Sequence, residues 1–171
     1  LSSMATPGSI GIDDNVSLSS PNRRFKLRYT VCTNGYHRVR YRKRKVRRVI
    51  DGAKQTLKQY FGYDSFRPGQ ERMVSAILSG EDALGVMPTG AGKSICYQVP
   101  ALMLQGLTLV ISPLVSLMGD QVRALKEVGA RPSYLNSSLT PAQQNTVLKR
   151  ASEGWYQIMY VAPERLSDPR F

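Results

Sequence analysis

From about residue 51 onward, apolar residues recur every three or four positions or gather in short unbroken runs. Ala53 to Phe61 sets Leu57, Tyr60 and Phe61 on one side of a short predicted helix. Pro68 to Ser79 reads as a second helix, with Pro68 at its first position and Gly80 as its stop. Ala83 to Met87 reads as a strand. Lys93 to Gln98 opens a third helix, which Pro100 is expected to kink or interrupt because proline lacks an N–H. Leu107 to Ser112 is a continuous apolar strand. Leu114, Leu117, Met118, Val122 and Leu125 then recur at helical spacing, and Gly129 closes that helix. Ser133 to Asn136 is a short strand. Thr140-Pro-Ala-Gln143 is a capping box with proline in the first turn, opening a helix that runs to about Glu153. Tyr156 to Val161 is a further strand, and Pro163-Glu-Arg-Leu166 restarts a helix.

Strands alternating with helices of this length predict the α/β class: a parallel sheet covered on both faces by helices. Ligands in such sheets collect at the carboxyl ends of the strands. Residues 88–94, 112–116, 136–138 and 162–165 are therefore the places to look for chemistry.

Residues 1–50 lack this texture. The first twenty are rich in Ser and Gly, and Arg38 to Arg48 holds eight basic residues in eleven. Such a block repels itself and stays solvated unless an anion neutralises it. Residues 1–50 are predicted to be a disordered basic segment and residues 51–171 a folded domain. The net charge of +12 belongs mainly to that segment, which holds 12 Lys/Arg against 2 Asp/Glu, whereas residues 51–171 hold 12 against 10. The basic pI therefore says little about what the folded part binds. The block reads either as a nucleic-acid-binding arm or as a solvated tail.

No run of about 18 apolar residues is present, so no membrane partner is expected. The opening residues do not read as a secretory signal. Cys32, Cys96 and the single histidine, His37, are too scattered for a zinc site.

The chemistry centres on Met87-Pro-Thr-Gly-Ala-Gly-Lys-Ser94, between a strand-like and a helix-like run. A glycine-rich turn at such a junction points backbone N–H groups of Thr89 to Lys93 into one concavity, and the helix adds its positive end. Lys93 then reaches outer phosphates and the Ser94 hydroxyl suits Mg²⁺. The usual pattern has glycine where Met87 stands; the bland alternative is a chance turn opening an ordinary helix. About twenty residues earlier lies Phe61-Gly-Tyr-Asp-Ser-Phe-Arg-Pro-Gly-Gln70. Tyr63 offers a stacking face, and Gln70 has the donor–acceptor pair that matches adenine N6 and N7. Equally, Phe61, Tyr63 and Phe66 read as core aromatics of a helical pair.

Taken together these segments resemble the RecQ-type DNA helicases. Phe61 to Gln70 looks like their adenine-recognition motif. Gly85 to Ala101 is similar to their first nucleotide motif, in which a methionine at position 87 is usual. Thr108 to Val122, Tyr134 to Ser138 and Tyr160 to Leu166 resemble the motifs that follow in order. The resemblance implies a RecA-like P-loop lobe and an ATP- and Mg²⁺-dependent helicase that separates DNA strands in the 3′-to-5′ direction during repair and recombination. Single-stranded and forked duplex DNA would be its partners, in the cytoplasm or nucleoid of a bacterium or the nucleus of a eukaryote. It implies Tyr63 stacked on adenine, Arg67 and Gln70 at the base edge, and Pro88, Thr89, Gly90, Ala91, Gly92, Lys93 and Ser94 around phosphates and metal. Ser112, Pro113, Ser116, Asn136 and Ser137 would face the DNA backbone, and Pro163, Glu164 and Arg165 the strand exit. For Glu164 and Arg165, a charge pair opening a helix explains the residues as well. The family's Asp-Glu-x-His motif does not occur among these 171 residues. The chain by itself is therefore expected to bind nucleotide weakly, to fold marginally and not to unwind DNA. Another superfamily 2 helicase acting on RNA, and a non-catalytic basic nucleic-acid-binding module, are the competing readings.

Overall fold

The computed structural model describes residues 43–167. Its elements run α1 (Lys43–Phe61), α2 (Gln70–Ser79), α3 (Lys93–Met103), β1 (Thr108–Ile111), α4 (Val115–Glu127), β2 (Pro132–Leu135), α5 (Pro141–Ser152), β3 (Ile158–Val161) and a short 3-10 turn at Pro163–Ser167. The three strands form one parallel sheet in the order β1-β3-β2. The register aligns Thr108 and Pro132 with Ile158, and Ile111 and Leu135 with Val161.

β3 is the middle strand, and all four of its residues are buried. Alternate side chains of a strand face opposite sides. Ile158, Tyr160 and Ala162 pack with Ala101 of α3 and with Met118, Val122 and Leu125 of α4. Met159 and Val161 pack on the other face with Leu135, backed by Val147 and Leu148 of α5. Helices thus cover both faces, which is the expected class. A third cluster, Ala53, Leu57, Val74, Ile95 and Val99, joins α1 and α2 to the outer side of α3.

Local chemistry sets the ends of these elements. Gly80 has φ +80°, and the Gly80 and Glu81 N–H groups return to Ile77 O and Ala76 O, closing α2. Thr140 and Gln143 make both bonds of the capping box at the start of α5.

Four expectations need correction. α1 begins at Lys43 rather than Ala53, so the division drawn at residue 50 falls inside a helix. Ile50, Ala53 and Leu57 form one buried stripe. Lysine and arginine lose little freedom in a helix, so the helix extends into the basic block. The remainder of the basic segment lies outside the described residues. Pro68 is not the first residue of α2; it sits in a turn, and the left-handed Gly69 (φ +86°) precedes the helix start at Gln70. Pro100 does not interrupt α3, which runs on to Met103. Its neighbours Gln98, Val99 and Ala101 are buried with it, and that packing outweighs a proline penalty of about 3 kcal/mol. Finally, Ala83–Met87 is not a strand. Exposure alternates along it, with Leu84 and Val86 on the open side, but no described strand pairs with it. A pleated apolar pattern becomes a strand only when a neighbour supplies the hydrogen bonds.

Candidate nucleotide site

The loop from Pro88 to Gly92 turns on two glycines. Gly90 has φ +81° and Gly92 φ +75°, conformations that a Cβ disfavours. Gly92 is also crowded: a Cβ there would lie 2.6 Å from Gln70 Nε2. Ala91 N–H bonds back to Pro88 O at 3.2 Å, closing the turn. Gly92 caps α3, and no acidic side chain stands in the first turn of that helix. The free amide donors and positive end of α3 are therefore left open to an anion. Pro88, Thr89 and Gly90 lie exposed on the rim, and Ala91 and Ser94 are half-buried.

Lys93 follows the cap directly. Its Nζ donates to Met87 O at 3.1 Å and Pro88 O at 2.9 Å, so the ammonium rests on the loop's own carbonyls. Its side chain remains exposed. An oxyanion is a stronger acceptor for an ammonium than a neutral carbonyl.

Gln70, expected at a base edge, is bonded to the loop backbone. It is 3 % exposed. Its Nε2 donates to Ala91 O at 3.1 Å and Gly92 O at 3.0 Å, and its Oε1 accepts from Arg67 N–H at 2.8 Å. Arg67 Nη1 donates to Gly90 O at 2.9 Å. The segment ahead of α2 thus holds three successive loop carbonyls from outside. Both amide hydrogens of Gln70 are committed to that hold.

A cavity of about 540 Å³ opens beside this lock, and Tyr63, Arg67, Gln70, Gly90, Gly92 and Ser94 share its wall. Phe61 and Phe66 pack against the core, whereas Tyr63 is 52 % exposed. The aromatic trio thus divides: two rings build the scaffold and one is presented. Ser94 also borders a second, more apolar cleft of about 950 Å³, which Lys93, Ser112, Leu114 and Leu117 share. The loop and the end of β1 therefore open into one cleft.

The remaining singled-out residues fall into two groups. Ser112 is half-buried, and its Oγ accepts from Leu114 N–H at 3.2 Å, starting α4. Pro113, Ser116 and Ser137 are exposed. Asn136 is the exception to the expected outward set. It is 2 % exposed; its Oδ1 accepts from Ser138 N–H at 3.0 Å and from Ser138 Oγ at 2.6 Å, and its Nδ2 points at Met118 Sδ. Its side chain shapes the turn after β2 and does not face solvent. Arg165 leans back in the same direction, with Nη2 3.4 Å from Asn136 O and Nη1 3.4 Å from Gln144 Oε1.

Sequence reasoning missed three residues that meet here: Gln98, Gln121 and Tyr160. Gln98 is buried among the apolar residues of α3 and donates to both of the others. Burial holds the Tyr160 phenol well above its ordinary range, so it stays an O–H donor at any physiological pH. The signal was a glutamine inside the run Ile95-Cys-Tyr-Gln-Val-Pro-Ala101, where its neighbours are core residues.

Comparison with known proteins adds what geometry alone does not. Residues 67–170 match the family model described as DEAD/DEAH box helicase. An ATP-dependent DNA helicase RecQ from Haemophilus influenzae is 52 % identical over 119 residues, covering 70 % of this chain and 19 % of that protein. The protein of the same description from Bacillus subtilis is 46 % identical over 124 residues, covering 72 % and 21 %. The ATP-dependent DNA helicase Q-like 5 of Arabidopsis thaliana is 46 % identical over 115 residues, covering 67 % and 12 %. The chain spans about a fifth of the length of these bacterial relatives.

Proposed function

Given that this chain belongs to the DEAD/DEAH box helicases and is of the RecQ type, we propose that it forms the nucleotide-binding part of an ATP-driven, 3′-to-5′ DNA strand-separating enzyme of repair and recombination. The reading rests above all on the loop between Pro88 and Ser94, tied from outside by Arg67 and Gln70 and opening on a cavity with one presented aromatic ring.

The residues present fit a nucleoside triphosphate with its metal. The two left-handed glycines leave no side chain between the loop backbone and a phosphate. Ser94, in the first turn of α3, would hold Mg²⁺, which when bound offsets charge on the outer phosphates. Lys93 would leave Met87 O and Pro88 O for a phosphate oxygen. Tyr63 would stack on the base, a contact typically worth about 1–3 kcal/mol. Arg67 retains guanidinium N–H groups beyond the one on Gly90 O and would meet a base or ribose edge. Exposed Ser116 and Ser137, with Ser112 just after β1, would meet a single-stranded or forked DNA backbone through hydroxyl and main-chain donors, and exposed Pro113, which has no N–H, would meet it by packing alone. Residues from α1 onward would be the first part of the ATP-binding domain. With no Asp-Glu-x-His motif among its 171 residues, the chain alone would bind nucleotide without DNA-stimulated turnover.

Titration of the full chain with a fluorescent ATP analogue tests this. Lys93→Ala should weaken binding by at least about tenfold, the loss of one charge-assisted bond of about 1.5–3 kcal/mol. Tyr63→Ala should weaken it without altering the thermal midpoint, because the ring is exposed. Equal affinity in wild type and Lys93→Ala would refute the reading.

A further inference from the structure

Gln98, Gln121 and Tyr160 make a closed polar ring between α3, α4 and β3, with Gln121 half-buried. Gln98 Nε2 donates to Gln121 Oε1 at 2.9 Å and to Tyr160 Oη at 3.0 Å, and Tyr160 Oη lies 3.5 Å from Gln121 Oε1. Gln98 is 6 % exposed and Tyr160 2 %. Burying such groups is costly unless each is partnered, and apolar side chains of similar size would fill the space without that demand. A ring of this kind does more than fill volume, because its directional bonds fix the relative position of the elements that carry it.

Those elements bear on two different sites. Gln98 is on α3, five residues after Lys93. Gln121 is on α4, five residues after Ser116. Tyr160 is on β3, three residues before Pro163. Gln98 and Gln121 also line the cavity that Tyr63, Arg67 and Ser94 share. The ring therefore joins α3, which follows the loop, to α4, whose first turn carries the exposed Ser116, and to β3, which leads into the Pro163 turn. α3 is held at its start by the Gln70 lock, which ties the helix that carries Gln98 to the loop.

We infer that Gln98, Gln121 and Tyr160 are positioning residues that couple occupation of the nucleotide cavity to the binding of single-stranded DNA at the start of α4. This rests on the nucleotide reading given above and specifies how that site is regulated. Coupling of two sites is reciprocal, so it is measurable from either ligand. Hydrogen-bonded networks are one physical carrier of such coupling when they have discrete arrangements.

The experiment is a binding cycle on the full chain. The affinity for a labelled single-stranded oligonucleotide is measured with and without a saturating non-hydrolysable ATP analogue, and the ratio is the coupling. In the wild type the ratio should depart from one by at least about fivefold. Tyr160→Phe removes only Oη and keeps the edge-on ring contact with Tyr97, at 6.3 Å between centroids. It should bring the ratio to within about twofold of one while the affinity for the analogue alone is retained. Gln121→Met breaks the ring from α4 and should collapse the ratio in the same way. A purely structural ring would lower the thermal midpoint and leave the ratio where it was, which would overturn the inference. A wild-type ratio of one with the analogue bound would overturn it as well. Failure of the wild type to bind the analogue at all would instead remove the nucleotide reading, and this inference with it.

Discussion

At the residue scale, the site is decided by how few positions tolerate a Cβ or a lost carboxamide. Gly90 and Gly92 look equivalent in the sequence, but only Gly92 is crowded by Gln70. Gly90→Ala should cost about 1–2 kcal/mol of backbone strain alone. Gly92→Ala should cost more, because Gln70 is buried and bonded and cannot withdraw. Urea denaturation of both variants measures the difference, and equal losses would mean the lock yields easily. Gln70→Ala tests the lock directly. It strands the Arg67 N–H and two loop carbonyls, so stability without any nucleotide should fall by about 1–3 kcal/mol. An unchanged midpoint, with ATP no longer preferred over GTP, would return Gln70 to base reading. The sequence showed that Tyr63, Arg67 and Gln70 belong together. It did not show which of them faces the ligand, because that depends on a loop twenty residues away.

At the element scale, helix ends were the most legible features, because their determinants are local. The Thr140–Gln143 capping box and the glycine stops at Gly80 and Gly129 are formed as the residues imply. Thr140→Ala should cost about 1 kcal/mol in denaturant melts and leave nucleotide affinity unchanged, since α5 packs on the face of the sheet away from α3 and α4. A change in nucleotide affinity would show α5 reaching the site. The misread elements share one cause. α1 starts early, α3 passes through Pro100, and Ala83–Met87 stays unpaired because packing or pairing partners, not local preference, settle each case.

At the scale of the whole molecule, the sheet is bound on one side only along β1. Among the described residues, β1 pairs with β3 and has no strand on its outer edge, where the cleft of about 950 Å³ runs. Leu114 and Leu117, both half-exposed, border that cleft. An open apolar edge is a template for association. The isolated chain should therefore self-associate with rising concentration, as read by sedimentation velocity. A monomer that unfolds in one cooperative step across the same range would show the edge to be protected.

What the sequence determined by itself is the α/β class, the glycine-rich turn ahead of α3, its neighbouring aromatic motif and the capped helix ends. Each of these is written within a few consecutive residues, through turn chemistry, hydrophobic period or glycine placement. What only the tertiary structure decided is long-range. Gln70 spends its amide on Ala91 and Gly92, Asn136 turns inward toward Met118, and Gln98 finds Gln121 and Tyr160 across 23 and 62 residues. A side chain's periodicity tells whether it is buried. Which polar partner it meets depends on how separate elements pack, and that pairing leaves no local trace in the chain.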